Sequence, residues 1–179
     1  MTLSPESLPR MSPNEYLNYE NSQEIRHELV DGYLYAMTGA SDRHEEITLN
    51  LVASLHAHLR GSSCRAYKGD LKIRQQDDFY YPDVFVRCSE ERGDPYFKTD
   101  PVLVAEVLSP STQRYDQGDK RMAYWSLPTL QEYILIWQDR MRVELTRRDQ
   151  PDTIVLEKPD DMLVLDSVDF SFTLADLYE

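Results

Sequence analysis

Pro101-Val-Leu-Val-Ala-Glu-Val-Leu-Ser-Pro110 and Tyr80-Tyr-Pro-Asp-Val-Phe-Val86 are the two stretches from which the architecture of this chain follows. Each is a short run of strand-forming residues with one carboxylate inside it, a pattern typical of strands buried in a sheet. Glu106 and Asp83 therefore lie where an unpaired charge would be costly. We expect the two acids to share a positive partner, which could be a metal ion, an arginine or a lysine.

A lysine is available on the next predicted element. Asp116 to Leu127 is predicted to be a helix that Pro128 ends, and the i, i+3, i+4, i+7 spacing places Lys120 on its apolar face with Ala123, Tyr124 and Leu127. Lys120 could pair with Glu106 on the preceding strand. The alternative is that its aliphatic stem covers apolar surface while its amine reaches water.

Upstream of these stretches, Arg26 to Met37 is predicted to be a β-hairpin, because Asp31-Gly32 separates two alternating apolar runs. Glu28 lies on its first strand, on the same side as Val30. Glu28 is either a solvent-side residue or a third acid of a metal site. Before the hairpin, Ser12-Pro-Asn-Glu15 predicts a helix start with a capping box.

A long helix is predicted from a cap at Asp42 through Arg60, with a core stripe of Ile47, Leu51, Leu55 and Leu59. Its histidines lack the spacing with acids that is typical of a zinc site, so a structural role is favoured for all three: His44, His56 and His58. His44 alone is near the helix start, where the edge of an active site is plausible.

The remaining pattern predicts a strand from Cys64 to Arg74, a strand from Phe79 to Arg87 that carries Asp83, and an exposed charged loop from Ser89 to Pro101. The later predicted strands are Glu132 to Trp137, Met141 to Thr146, Thr153 to Leu156 and Met162 to Leu165. Phe172 to Tyr178 is predicted to be a short terminal helix. We expect one domain over residues 1–179, of the α/β (α+β) class, with a mixed sheet flanked by helices.

Composition limits the function. The chain has 19 Lys+Arg against 32 Asp+Glu, a net charge of −13, which counts against a tight DNA binder that works without a metal. The spacing of Cys64 and Cys88 favours neither a metal site nor a disulfide framework. The N-terminus lacks the pattern of a signal peptide, and no apolar run approaches the ~20 residues that span a bilayer. A reducing cytoplasm is the expected location.

Two carboxylates and a lysine fit metal-dependent phosphodiester hydrolysis. Carboxylate oxygens hold Mg²⁺, and a bound metal lowers the pKa of a water and stabilises charge on phosphate. A lysine can orient that water or help to neutralise the phosphate.

The chain also resembles a known family. Tyr-Pro-Asp83-Val, Val-Ala-Glu106-Val-Leu-Ser-Pro-Ser-Thr and Lys120 with Tyr124 are similar to motifs of the Uma-type endonucleases in the PD-(D/E)XK restriction-endonuclease-like superfamily. Glu28 in His-Glu-Leu-Val-Asp-Gly and the segment Gly-Ala-Ser-x-x-His44 match the N-terminal motif. The resemblance runs from about Tyr16 to Arg147.

This resemblance implies a Mg²⁺-dependent DNA endonuclease (Mn²⁺ is possible), often a homodimer, with Asp83 and Glu106 as metal ligands and Glu28 as an accessory acid. The chain departs from the superfamily motif at Leu108, where that motif has lysine, and Lys120 would take its place. Two alternatives stay open: a non-catalytic interaction protein that retains the fold, supported by the net charge, and a metal-dependent hydrolase of small phosphoesters.

Overall fold

A six-stranded mixed sheet forms the centre of the computed structural model, which describes residues 9–109, 118–150 and 152–179. Its strand order is β11-β10-β9-β8-β6-β3, and only the β8–β9 pair is parallel. The strands are β3 (Cys64–Lys68), β6 (Val84–Cys88), β8 (Leu103–Leu108), β9 (Glu132–Trp137), β10 (Val143–Arg147) and β11 (Ile154–Leu156). We call this the central sheet.

A second, five-stranded sheet has the order β2-β1-β5-β4-β7. It consists of β1 (His27–Val30), β2 (Tyr33–Ala36), β4 (Lys72–Gln75), β5 (Asp78–Tyr80) and β7 (Phe97–Lys98). We call it the hairpin sheet. Asp31 and Gly32 link β1 to β2 with φ of 52° and 81°, the left-handed pair that a tight hairpin turn requires, so the predicted hairpin is confirmed.

Both faces of the central sheet are covered, which explains the uninterrupted apolar runs of its middle strands. Along β8, Leu103, Ala105 and Val107 belong to one core cluster, while Val104 and Leu108 belong to another on the opposite face. By this alternation Glu106 points to the second face. The predicted buried strands β8 and β9 are confirmed, since all of their residues are buried.

Of the four α-helices in the described residues, three pack on these faces and one packs on the hairpin sheet. Helix α2 (Asp42–His58) and the terminal helix α4 (Leu174–Tyr178) pack on the first face, beside the hairpin β12 (Met162–Leu165) and β13 (Phe170–Thr173) and the 3₁₀ turn Asp166–Val168. Helix α3 (Asp119–Trp125) packs on the second face, and α1 (Pro13–Glu20) covers the hairpin sheet. The predicted core stripe of α2 is confirmed: Ile47, Leu51, Leu55 and Leu59 are all buried.

Two predicted strands are wrong in one respect: each divides between the two sheets. The stretch 64–74 breaks into β3 and β4 at Gly69, whose φ is 46°, and the stretch 79–87 breaks into β5 and β6. The breaks lie side by side, because the Gly69 amide donates to the Asp83 carbonyl at 3.1 Å. Pro82 cannot donate to a strand ladder, which favours the second break. Asp83 therefore lies in a junction between sheets and not within a strand.

Smaller differences concern the helix ends. Ser41, not Asp42, caps α2, because its side chain accepts from the His44 amide. The capping box of α1 at Ser12 and Glu15 is as predicted. Helix α3 ends at Trp125, two residues before the predicted end, and residues 116–117 of its predicted start lie outside the described residues. The loop 89–101 contains the short strand β7, which holds the buried Lys98.

Cys64 and Cys88 are joined in a disulfide, so the prediction that they form none is contradicted. The two residues are direct neighbours on the antiparallel strands β3 and β6, a proximity that their 24-residue separation in sequence does not reveal. In the described part of the chain, no helix has both the length and the apolar character needed to span a bilayer.

Candidate active site

Lys120 lies between two buried carboxylates. Its Nζ is 3.0 Å from Glu106 Oε1 and 3.0 Å from Glu28 Oε1. Glu106 is 2% exposed, and Glu28 and Lys120 are each 5% exposed. The predicted contact between Lys120 and Glu106 is confirmed, and Glu28 faces the same position rather than solvent. Buried carboxylates of this kind are stable only with a charged or hydrogen-bonded partner, which the lysine provides.

The backbone of Tyr81 holds this arrangement at a second point. Its amide donates to Glu28 Oε1 at 2.9 Å, and its carbonyl accepts from Lys120 Nζ at 3.2 Å. Tyr81 lies in the segment between β5 and β6, directly before Pro82 and Asp83. The same short junction therefore supplies Asp83 to the site and holds Glu28 and Lys120 in place.

Asp83 joins this group through its own backbone and side chain. Its amide donates to Glu106 Oε2 at 3.3 Å, and its Oδ2 accepts from the Val107 amide at 2.7 Å. Asp83 and Glu106 therefore lie together where the chain crosses from one sheet to the other. All four predicted site residues, Glu28, Asp83, Glu106 and Lys120, line one cleft of about 710 Å³.

His44, whose role the sequence left open, also reaches the site. Its Nε2 is 3.2 Å from Asp83 Oδ2. Burial disfavours the protonated ring, but the hydrogen bond to Asp83 and the charges of Asp83 and Glu45 outweigh burial and raise the pKa of His44 above its ordinary value. The structural role favoured for all three helix histidines is therefore incomplete for this one. Two signals in the sequence pointed to it: its place in the first turn of α2, and the match of Gly-Ala-Ser-x-x-His44 to the family's N-terminal motif.

The cleft wall is acidic. The described residues that line it include six carboxylates and three lysine or arginine side chains, namely Glu24, Glu28, Glu45, Asp70, Asp83 and Glu106 against Arg26, Lys68 and Lys120. Each of these cations contacts an acid. Arg26 is 3.5 Å from Asp70, and Lys68 pairs with Glu45 at the rim of the cleft. These two rim pairs are partly exposed, so each contributes little to stability.

Behind the site lies a second buried polar network, which the sequence pattern does not predict. Glu20 accepts from the Tyr81 hydroxyl at 2.9 Å and from the His27 amide at 2.9 Å, and its other oxygen is 3.1 Å from His27 Nδ1. Lys72 Nζ donates to the Tyr81 hydroxyl at 3.2 Å. Burial, and then the charge of Glu20, raise the pKa of Tyr81, whereas burial lowers the pKa of Lys72. The network holds the two residues, His27 and Tyr81, that flank the site.

Whether the cleft can hold a divalent cation depends on which donor groups lie together in it. In the described ranges, no three His, Cys, Asp or Glu side chains form a group that could hold a metal. Asp83 and Glu106, however, are adjacent oxygen donors, and Mg²⁺ commonly uses one or two protein carboxylates and completes its shell with water. The residues present therefore fit a Mg²⁺ ion held by two acids. The described contacts of Glu28 are with Lys120 and Tyr81.

A mixed sheet flanked by helices, with acids and a lysine gathered at the junction of two sheets, defines the restriction-endonuclease-like class of α+β proteins. The sequence profile of the family Uma2, described as "Putative restriction endonuclease", matches residues 13–175. The chain belongs to this family, which confirms the resemblance drawn from its motifs.

Relatives and a solved structure agree with this assignment. The chain is 38% identical over 175 residues to an uncharacterized protein of Synechocystis sp., a match that covers 95% of this chain and 92% of the relative. A second uncharacterized protein of Synechocystis sp. is 33% identical over 135 residues, or 73% of this chain and 76% of the relative. The crystal structure of "a putative nuclease belonging to DUF820" from Anabaena variabilis superposes with a TM-score of 0.73 at 21% identity, over 94% of this chain and 97% of that one, and shows the same fold.

Proposed function

We propose that this protein is a Mg²⁺-dependent endonuclease that hydrolyses DNA phosphodiester bonds. The observation that carries the proposal is the meeting of Asp83 and Glu106 with Lys120 in one cleft, with Lys120 Nζ 3.0 Å from Glu106. Membership of a family described as restriction endonucleases supports the nuclease assignment. The dependence on Mg²⁺, or on Mn²⁺ in its place, and the choice of DNA rest on the chemistry of the donor set and on the family.

Each residue has a proposed role. Asp83 and Glu106 would hold the cation, which supplies a water of lowered pKa and stabilises negative charge on the phosphate. Lys120 would offset, by its positive charge, the negative charge that develops on the phosphate. Glu28 holds Lys120 from the opposite side and is the candidate third acid. His44 holds the side chain of Asp83.

The test is cleavage of a supercoiled plasmid with Mg²⁺, by wild type and by Asp83→Asn, Glu106→Gln and Lys120→Ala. We expect nicking by wild type that EDTA abolishes, and a loss of at least about 100-fold in each variant, the size typical of removing one preorganised catalytic group. The matched control is Asp70→Asn, which changes a rim carboxylate. Full activity of Lys120→Ala, or no cleavage by wild type under any divalent cation, would overturn the proposal.

A second candidate function is that of a non-catalytic interaction protein that retains the nuclease fold. It is favoured by the net charge of −13, and by the failure of the described side chains to form a three-ligand group. The third possibility, hydrolysis of a small phosphoester, is separated from the nuclease by the substrate. Cleavage of a chromogenic phosphodiester but not of plasmid would favour it.

We further propose a homodimer, which rests on the family alone. Light scattering would then give twice the chain mass of 21.0 kDa, and a monomer mass would contradict it. A cytoplasmic location is also proposed, and the disulfide counts against it, because such bonds are rare in a reducing compartment.

A further inference from the structure

The cleft wall formed by the hairpin of β1 and β2 carries apolar side chains beside the acids. Glu28 is the direct cross-strand partner of Tyr35, and the Met37 amide donates to the Arg26 carbonyl two pairs further along. Residues paired across antiparallel strands share a face, so Tyr35 and Met37 lie on the same face as Glu28. All three line the cleft.

These side chains are accessible. Met37 is 36% exposed, and Ile25, which also lines the cleft at the open end of the hairpin, is 58% exposed. Tyr35 is half-buried. The other face of the same hairpin packs against the core, where Leu29 and Leu34 belong to a buried apolar cluster. Met37 and Ile25 therefore expose apolar surface to the cleft, whereas the apolar residues on the other face of the hairpin are buried in the core.

Charge argues against a substrate held mainly through its phosphates. The three lysine and arginine side chains that line the described cleft each contact a carboxylate, and the cleft has three more acids than these cations. If Arg26 or Lys68 turned to a phosphate, Asp70 or Glu45 would remain beside it. Affinity for nucleic acid must then come from another source, and the faces of bases offer one, because stacking on aromatic side chains does not require positive charge.

We propose that Tyr35, with Met37 and Ile25, forms a platform that contacts unstacked bases next to the scissile phosphate, so that the preferred substrate is single-stranded or locally opened DNA. This inference rests on the proposed nuclease function. Directly opposed residues on neighbouring strands have Cβ atoms about 5 Å apart, so the Tyr35 ring starts one strand spacing from Glu28. Glu28 in turn contacts Lys120, so the Tyr35 ring and Lys120 line the same cleft.

The experiment measures binding of a labelled single strand of about 20 nucleotides, and of the same sequence as a duplex, by fluorescence anisotropy with Ca²⁺ replacing Mg²⁺. We expect the single strand to bind more tightly. Tyr35→Ala should weaken its binding about tenfold, within the range for one stacked base, and Tyr35→Phe should have little effect. Tyr35→Leu retains apolar volume without a ring and should resemble Tyr35→Ala. Tyr96→Ala, at an exposed tyrosine that does not line the cleft, is the control.

Salt dependence gives an independent measure. We expect the affinity for the single strand to fall by less than about twentyfold from about 50 to about 200 mM salt, a slope corresponding to fewer than about three phosphates. A steep slope with duplex preferred would overturn the platform. So would wild-type single-strand binding by Tyr35→Ala.

The outcomes separate the two proposals. If plasmid is cleaved while Tyr35→Ala binds single strands normally, the platform is wrong and the nuclease stands. If single strands bind through Tyr35 but no DNA is cleaved, the nuclease is wrong and the platform stands. If no DNA binds under any of these conditions, both are wrong.

Discussion

Lys120 is the residue on which the site depends most. One amine contacts two carboxylates that are almost fully excluded from water, together with a backbone carbonyl. Breaking a buried ion pair leaves an uncompensated charge, which is far more costly than the net contribution of the intact pair. The amphipathic pattern of α3 placed this lysine correctly, because a charged residue at an apolar helix position must find a partner or reach water.

We therefore predict that Lys120→Met lowers the free energy of unfolding by about 3–5 kcal/mol in urea denaturation, since Glu28 and Glu106 lose their shared cation. Adding Glu28→Gln to this variant should recover part of the loss. Lys158→Met, at an exposed lysine, is the control and should change stability by less than about 0.5 kcal/mol. Equal stability of Lys120→Met and wild type would show that the lysine is not buried between the acids.

At the scale of elements, the site depends on the junction between the two sheets. The junction residue Tyr81 uses its backbone to hold Glu28 and Lys120, and its hydroxyl to bond Glu20 and Lys72. Sequence reasoning placed Asp83 on a continuous strand because 79–87 has strand propensity throughout. The break follows from tertiary pairing of β4 and β5 in a different sheet from β3 and β6, which no local pattern records.

Tyr81→Phe should test how this junction is held. We predict a loss of about 1–3 kcal/mol in the free energy of unfolding, because Glu20 and Lys72 lose a buried hydrogen-bond partner. Plasmid cleavage should fall as well, with the main effect on kcat, since the peptide of Tyr81 positions Lys120. Tyr96→Phe is the matched control, as Tyr96 is exposed. Unchanged stability and cleavage in Tyr81→Phe would contradict this role.

The terminal helix α4 is fastened by Tyr178. Its hydroxyl donates to the carbonyl of Trp137 or of Arg142, each 2.8 Å away, and accepts from the Arg142 amide at 3.1 Å. Burial raises the pKa of Tyr178 to about 12, so the folded state favours the protonated phenol. The stabilisation is complete below the unfolded pKa of about 10 and is lost as the pH rises through about 12.

Tyr178→Phe should accordingly be less stable than wild type at neutral pH, by about 1–3 kcal/mol. The difference between the two proteins should shrink between about pH 10 and about pH 12, measured by urea denaturation across that range. A difference that stays constant over this range would show that the phenol does not titrate with a raised pKa.

Across the whole molecule, local sequence patterns predicted most of the helices, strands and turns. The strands β8 and β9, the hairpin at Asp31-Gly32 and the stripe of α2 follow from periodicity and turn chemistry. The meeting of Glu28, Asp83 and Glu106, acids separated by dozens of residues, depends on strand order and required the structure. The contact of His44 with Asp83, the network around Glu20 and the pairing of Cys64 with Cys88 were not predicted, because each joins distant elements.

The disulfide makes a prediction at this scale. It closes a loop of 24 residues between β3 and β6, and the chain-entropy model assigns such a loop about 3 kcal/mol. Reduction, or the double substitution Cys64→Ser and Cys88→Ser, should lower the free energy of unfolding by up to this amount. The readout is urea denaturation with and without reductant, and the double variant should not respond to reductant. Two free thiols in protein unfolded without reductant would contradict the disulfide.

We propose that Asp83 and Glu106 bind a divalent cation at the junction of the sheets. Isothermal titration of Mg²⁺ and of Mn²⁺ into wild type, Asp83→Asn and the rim control Asp70→Asn tests this directly, without DNA or turnover. We predict one cation per chain for wild type and Asp70→Asn, and no binding by Asp83→Asn. The absence of binding to wild type at millimolar metal, or equal binding by Asp83→Asn, would contradict the claim.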